Sequence, residues 1–227
     1  MKLMFALWGD VSGLHAPDFR ERLEGLGVVR LQVNVCDEHV ERAMRISTFD
    51  PPIDGFATTW GETDAASIAA ALLDLPADRV AGWEVEERQP IEPPEEWDGE
   101  RTDALSNIAV IRCPAELTHE EWLRRWREDH TPVAIATQAT FGYVQNLVVA
   151  RVTEGAPQID GIVEELFPSA GIDDIHAFYG SDGDEAELAS RLDRLMASVT
   201  RIGADRDLDL VPTSRYLYDL RTEGAPR

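Results

Sequence analysis

The feature that most constrains this chain is that its pattern is written twice. "PPIDGFATTW" at 51–60 has a partner in "PQIDGIVEELF" at 157–167, displaced by 106 residues. Other segments follow at about the same offset. "KLMFALWG" (2–9) matches "NIAVIRCP" (107–114), both short apolar runs that read as strands. "APDFRERLEGLG" (16–27) matches "THEEWLRRWREDH" (118–130), both helical. "VVRLQVNV" (28–35) matches "GYVQNLVVARV" (142–152), both strand-like, and "DAASIAAALLDL" (64–75) matches "DEAELASRLDRLMASV" (184–199), both helical. "RVAGWEVEE" (79–87) and "LDLVPTSRYLYDL" (208–220) close the two series as strands. A repeat this long must be sought before anything else, because it sets the architecture.

Periodicity supports the assignments. Val29, Leu31, Val33 and Val35 alternate with Arg30, Gln32 and Asn34, the period of a strand. Leu188, Leu192, Leu195, Met196 and Val199 fall on one helical face. Thr118 with Glu121 makes a capping box at a helix start. Each half therefore reads β-α-β-β-α-β, an α+β ferredoxin-like unit with both helices on one face of an antiparallel sheet. The bare face of each sheet must be covered, and two copies in one chain can cover each other. The expectation is an αβ barrel with the sheets packed face to face, an intramolecular pseudo-dimer. Residues 1–90 form the first half, the Pro- and acid-rich stretch 91–103 a linker, and 104–227 the second half. Whether the chain also pairs with a second copy stays open.

Composition removes several function classes. The formal net charge of −22 argues against nucleic-acid binding and against adhesion to anionic membranes. No apolar run approaches 18 residues, so no transmembrane helix is expected. "MKLMFALWGDV" begins like a signal peptide, but its short apolar run ends in Gly9-Asp10 and reads as the first strand, which points to a cytoplasmic protein. Lys2 is the only lysine; its terminal position makes Schiff-base and pyridoxal phosphate chemistry poor expectations. The histidines at 15, 39, 119, 130 and 176 have no metal-ligand spacing, so no metal is expected. Cys36 and Cys113 read as inert thiols.

At "THEEWLRRWREDHTPVA" (118–134), followed by "FGYVQNLVV" (141–149) and "IDGIVEELF" (159–167), the second half resembles the EthD family of the dimeric α+β barrel superfamily. The resemblance spans about residues 104–220 and rests on a W-x-x-x-H-x-P helix, a Tyr/Asn strand and an Asp-Gly-led strand ending in an aromatic. The first half fits the same fold without the helix-end motif and looks like a diverged copy. The resemblance implies a compact barrel with pockets between helices and sheet. It also implies kinship with ether-degradation proteins and with cofactor-free cyclases, dehydratases and decarboxylases of polyketide-like aromatic compounds. More distant relatives bind haem or act as monooxygenases. Fold alone does not fix the reaction.

Comparing the halves separates scaffold from site: a residue the fold needs should occur in both. Asp160 has Asp54 as its counterpart, and Asp-Gly suits a turn into a strand. It is more a turn residue than a catalytic one, with a role orienting a histidine as the alternative. His130 has no counterpart, since the first half ends its helix in "RLEGLGVV". Pro132 discourages helix through Thr131, so His130 is expected in the last turn, where the dipole favours its protonated form. It is an ordinary helix-end residue or the general acid/base of the protein. Trp122 and Trp126 suit a core, with Trp126 also a candidate for substrate contact. Tyr143 and Asn146 fall on opposite faces of their strand, and Tyr143 is the better hydrogen-bond donor to a substrate oxygen. Glu164 shares parity with Asp160, and Thr58 stands at its place in the first half; a buried carboxylate there needs a partner, and His130 is the candidate. His176 reads as a surface residue or a pocket-border residue.

The catalytic set is thus His130, Tyr143 and Glu164, with Trp126, Asn146, Asp160 and His176 as substrate-binding candidates. The expected function is a cofactor-free, lyase-type enzyme (dehydratase, decarboxylase or cyclase) acting on a small oxygenated aromatic or polyketide-like compound. Two alternatives stand beside it: a binding protein without chemistry, and a haem or oxygen protein with His130 as ligand.

Overall fold

The computed structural model of the protein describes residues 1–62 and 64–221. The first half runs β1 (Lys2–Gly9), α1 (Pro17–Gly25), β2 (Val28–Val35), β3 (Gly55–Gly61), α2 (Ala65–Leu73) and β4 (Ala77–Ile91). A short strand β5 (Asp98–Arg101) follows. The second half begins with β6 (Leu105–Ile111), then a helical run of α3 (His119–Arg124), a π turn (Arg125–His130) and α4 (Thr131–Thr137). It continues through β7 (Gly142–Arg151), β8 (Gly161–Phe167), α5 (Ile175–Tyr179), α6 (Glu185–Arg201) and β9 (Leu208–Asp219). The order β-α-β-β-α-β occurs twice. Among the described residues, no helix is long and apolar enough to cross a membrane.

The strands follow the order β2-β3-β1-β4-β7-β8-β6-β9-β5, and β2 also pairs with β9. Every pairing is antiparallel, and the β2–β9 contact closes eight strands into a barrel. The two sheets are thus joined edge to edge as well as facing each other. Closure depends on two long strands. β4 pairs with β1 at its start and with β7 further on, and β9 passes from β6 to β2 in the same way. Closure removes the edges of β2 and β9, and among the described residues β5 remains as a short edge strand on β9.

Strand alternation sends one set of side chains into the barrel and the other under the helices. One end of the barrel interior is apolar, with Met4, Trp8, Phe56, Trp83, Ile108 and Ile162 packed together. The other end is a polar belt. Gln32 and Asn34, the polar alternates of β2, are buried in it. Asn34 Nδ2 donates to Ser106 Oγ at 3.1 Å and to Thr213 Oγ1 at 2.9 Å, bonding the halves across the interior.

Two sequence expectations change here. The stretch 91–103 is not purely a linker. β9 leaves β6 after Thr213, and β5 covers the freed edge by pairing with Tyr216 and Tyr218. Nor does the helix end at His130. A π turn carries it through Pro132, with Thr131 N–H donating to Trp126 O, five residues back. The wider turn accommodates a proline that lacks an N–H, so the chain continues helically to Thr137.

Candidate active site

β6, β8 and β7 lie side by side, and their helix-facing side chains form a row. Register sets Asn107 opposite Glu165, and Glu165 opposite Tyr143. α4, α5 and α6 cover this face, but not completely: a cavity of about 290 Å³ remains. Its walls are mostly apolar, including Ala109, Val163, Phe178 and Leu195. His130, Tyr143, Glu165, Asn107 and Tyr179 bring polar groups to it.

The π turn delivers His130. Such turns are frequent at functional sites because the extra residue rotates side chains out of regular spacing. Trp126 and Trp122, on the same helical run, pack with ring centroids 5.1 Å apart and planes tilted by 34°. The Trp126 ring lies against β8, where a Cβ on Gly161 would meet it at 2.7 Å. This close approach explains the glycine of "IDG". Thr131 Oγ1 donates to Trp126 O at 2.7 Å and accepts from Gln145 Nε2 at 2.8 Å, tying the turn to β7.

His130 is buried, and Nδ1 shares a hydrogen bond of 3.0 Å with Ser198 Oγ of α6. Nε2 makes no hydrogen bond among the described residues. Burial pushes the imidazole down to about 4, so it is neutral at pH 7. The expectation of a dipole-favoured imidazolium fails, because His130 sits inside a continuous helical run. Burial pushes the Glu165 carboxyl the other way, up to about 7. Glu165 Oε1 and Asn107 Oδ1 are both buried without a hydrogen-bond partner among the described residues. Burial, and then the charge of Glu165, raise the Tyr143 phenol well above its ordinary range. A neutral imidazole and a carboxyl that titrates near neutrality therefore share one apolar cavity.

The model of the EthD domain matches residues 114–190. That match lies within the second half. No curated protein matches the sequence significantly. Among solved structures, an "anthrone oxidase-like protein" aligns over 100% of this chain and 95% of its own, with a TM-score of 0.53 at 9% identity. That likeness shows the fold. A "putative monooxygenase" from Lactobacillus acidophilus covers 96% of this chain and 95% of its own at TM-score 0.47 and 9% identity. Another so described, from Fusobacterium nucleatum, covers 96% and 93% at 0.48 and 6%.

Of the residues the sequence singled out, His130, Tyr143 and Trp126 line the cavity. Glu164 does not. It points into the barrel, where Lys2 Nζ lies 2.9 Å from Oε1, Asn146 Nδ2 donates to the same oxygen at 2.9 Å, and Gln32 Nε2 donates to Oε2. Burial alone would raise its pKa, but Lys2 and these donors bring it below the ordinary value. The partner of Glu164 is thus Lys2, which the fold buries despite its terminal position. Asn146 belongs to the same barrel cluster and not to the cavity.

Asp160 is a scaffold residue: its Oδ2 accepts from Cys113 N at 2.8 Å, as Asp54 Oδ2 accepts from Gly9 N at 2.7 Å. His176 stands apart from the cavity, with Nδ1 2.7 Å from Ser181 Oγ and Nε2 3.5 Å from Glu185 Oε1. The residues that sequence reasoning missed are Glu165, Asn107 and Ser198. The comparison of halves contained the signal for Glu165, whose place in the first half is held by Thr59.

A haem does not fit this cavity. Arg206, the sole cation lining it among the described residues, is exposed and paired with Glu116.

Proposed function

We propose that the protein is a cofactor-independent, lyase-type enzyme that removes and returns a proton on a small, neutral, oxygenated aromatic or polyketide-like compound. The observation that carries this reading is the pairing of neutral His130 with a carboxyl of pKa near 7 in one apolar cavity. Proton transfer is most efficient when the catalytic pKa lies near the working pH, which favours Glu165 over His130 as the base. The reading uses the tautomer in which Nδ1 accepts from the Ser198 hydroxyl, which puts the imidazole proton on Nε2, where it can hold a substrate oxygen.

In a dehydration, Glu165 takes the proton α to a carbonyl while His130 Nε2–H donates to the developing enolate oxygen. The β-hydroxyl then departs, takes the proton from Glu165 and leaves as water. The carboxylate is restored, and the net change is loss of one water. A cyclisation by aldol condensation adds a step before it: the enolate carbon attacks a second carbonyl of the same molecule, the resulting alkoxide takes the proton from Glu165, and dehydration follows as above. Decarboxylation is less favoured, because a substrate carboxylate would meet no unpaired cation among the described lining residues.

The test is hydrogen–deuterium exchange of the α-hydrogens of neutral aryl ketones in D₂O, followed by NMR. The protein should accelerate exchange, and Glu165→Gln should lower that rate about 100-fold or more. Full exchange by the Glu165→Gln protein would overturn the assignment. A binding protein without chemistry would bind the ketones and leave their hydrogens unexchanged.

A second reading draws on the fold likeness to the anthrone oxidase-like protein. The same carbanion would meet dioxygen, turning a CH₂ into C=O with one oxygen atom released as water. Substrate-dependent oxygen uptake distinguishes it.

A further inference from the structure

The cavity has two chemically distinct ends. Its floor is the sheet, where Asn107 is 2% and Glu165 8% exposed, each with a side-chain oxygen lacking a protein partner. Two neighbouring acceptors without donors are costly in an apolar setting, and hydroxyl groups of a ligand would relieve them. Its mouth is apolar. Met44 (55% exposed), Ile46 (41%) and Met196 (49%) line the cavity while facing solvent. They are three of the nine large apolar side chains exposed among the described residues, gathered at one opening. Apolar groups concentrated around a cavity mark a place where apolar matter sits, and methionine adapts to varied shapes.

Two of these three side chains come from the other half. Residues 36–54, between β2 and β3, leave the first half and cross the second. Val40 and Ala43 are buried in its core. Ile46 and Leu210 exchange backbone hydrogen bonds of 3.1 and 2.8 Å. Asp209, almost fully buried, anchors the strap beyond them. It accepts from Thr48 N at 2.6 Å and from Thr48 Oγ1 at 2.9 Å, and it pairs with Arg112 at 2.9 Å. The strap is thus pinned on both sides of Met44 and Ile46.

We propose that the ligand is a neutral amphiphile bound head-in. Its hydroxylated end sits on Asn107 and Glu165, and its hydrocarbon end lies between Met44, Ile46 and Met196, so that the first half sets which tails are accepted. The idea rests on the cavity being the site of the proposed reaction, but not on the reaction itself. Proton exchange and binding are therefore tested separately.

The experiment is isothermal titration with 4-alkylphenols of increasing chain length. Each added methylene should tighten binding about fourfold until the tail clears the mouth. Replacing the three mouth residues together (Met44→Ser, Ile46→Ser, Met196→Ser) should collapse that dependence on chain length. These positions are exposed, so the variant should fold. Asn107→Leu should weaken every member of the series by a similar factor, on the order of tenfold, and keep the slope. Three results would overturn the proposal: affinity independent of chain length, a slope that survives the mouth variant, or 4-alkylbenzylamines binding more tightly than the phenols. Loss of exchange with an intact slope would sink the proposed reaction and leave this inference standing.

Discussion

The two halves share one strand order and differ in one row of side chains. In the first half, β1, β3 and β2 place Leu3, Thr59 and Leu31 side by side under the helices. In the second, β6, β8 and β7 place Asn107, Glu165 and Tyr143 at the same stations. The first row lies under an apolar core that includes Phe5, Phe19, Leu23 and Leu72. The second row lines a cavity. The first half has short helices, and α2 is rich in alanine, which lets its backbone come close to the sheet. The second has a helical run from His119 to Thr137 and the seventeen-residue α6, which leave room beneath them. The scaffold is common to both; what differs is whether the helix-facing layer is filled or left open around polar groups. Open polar layers cost stability and are kept where a site needs them.

That comparison can be broken most severely at two adjacent glutamates. Glu165→Gln should remove ketone exchange with little loss of stability. Glu164→Gln should do the reverse, because it removes one of the two carboxylates that hold buried Lys2 and leaves only Glu87, at 2.5 Å: a loss of about 1–3 kcal/mol in urea unfolding, with exchange per folded molecule preserved. If Glu164→Gln abolishes exchange in folded protein, the division into barrel scaffold and cavity site is wrong.

Exchanging residues between the rows should give effects of opposite sign. Leu31→Asn puts an unpartnered amide and a void into the first half's core and should cost about 3 kcal/mol. Asn107→Leu removes an orphaned acceptor and should stabilise by about 1 kcal/mol. Melting curves of both variants test this, and equal destabilisation by the two would erase the contrast.

The last contrast is in the pH dependence of stability. Glu165 has a folded pKa of about 7 against an ordinary 4.5, so its contribution is complete below pH 4.5 and is lost as pH rises through 7. His130 has a folded pKa of about 4 against 6.5, so its contribution is present above pH 6.5 and is lost as pH falls through 4. Between pH 4.5 and 6.5 the two slopes oppose. Stability should therefore be flatter there in the natural protein than in either variant. Glu165→Gln should lose stability on acidification, and His130→Phe on alkalinisation.

Much of the architecture was legible because a repeat and strand periodicity are global signals that no single residue controls. The separation of Tyr143 from Asn146 onto opposite strand faces and the asymmetry of His130 were legible too, the first from parity and the second from comparing copies. Glu165 was not, because the face of β8 was anchored on Asp160. That carboxylate turns back to cap Cys113 N, so its parity says nothing about the cavity. A slip of one residue in a strand exchanges the two faces, and here it exchanged Glu164 for Glu165. Pro132 misled for a related reason: a π turn supplies the missing donor's slack, and propensity alone does not foresee it. Lys2 was discounted for its position in the chain, whereas β1 is central to the barrel.

The most direct measurement is the titration of the glutamate side-chain carboxyls by ¹³C NMR. One glutamate should titrate near pH 7. Its resonance should vanish in Glu165→Gln and persist in the mouth variant. Glu165 titrating at or below 4.5 would mean a solvated carboxylate, and the cavity site described here would be contradicted.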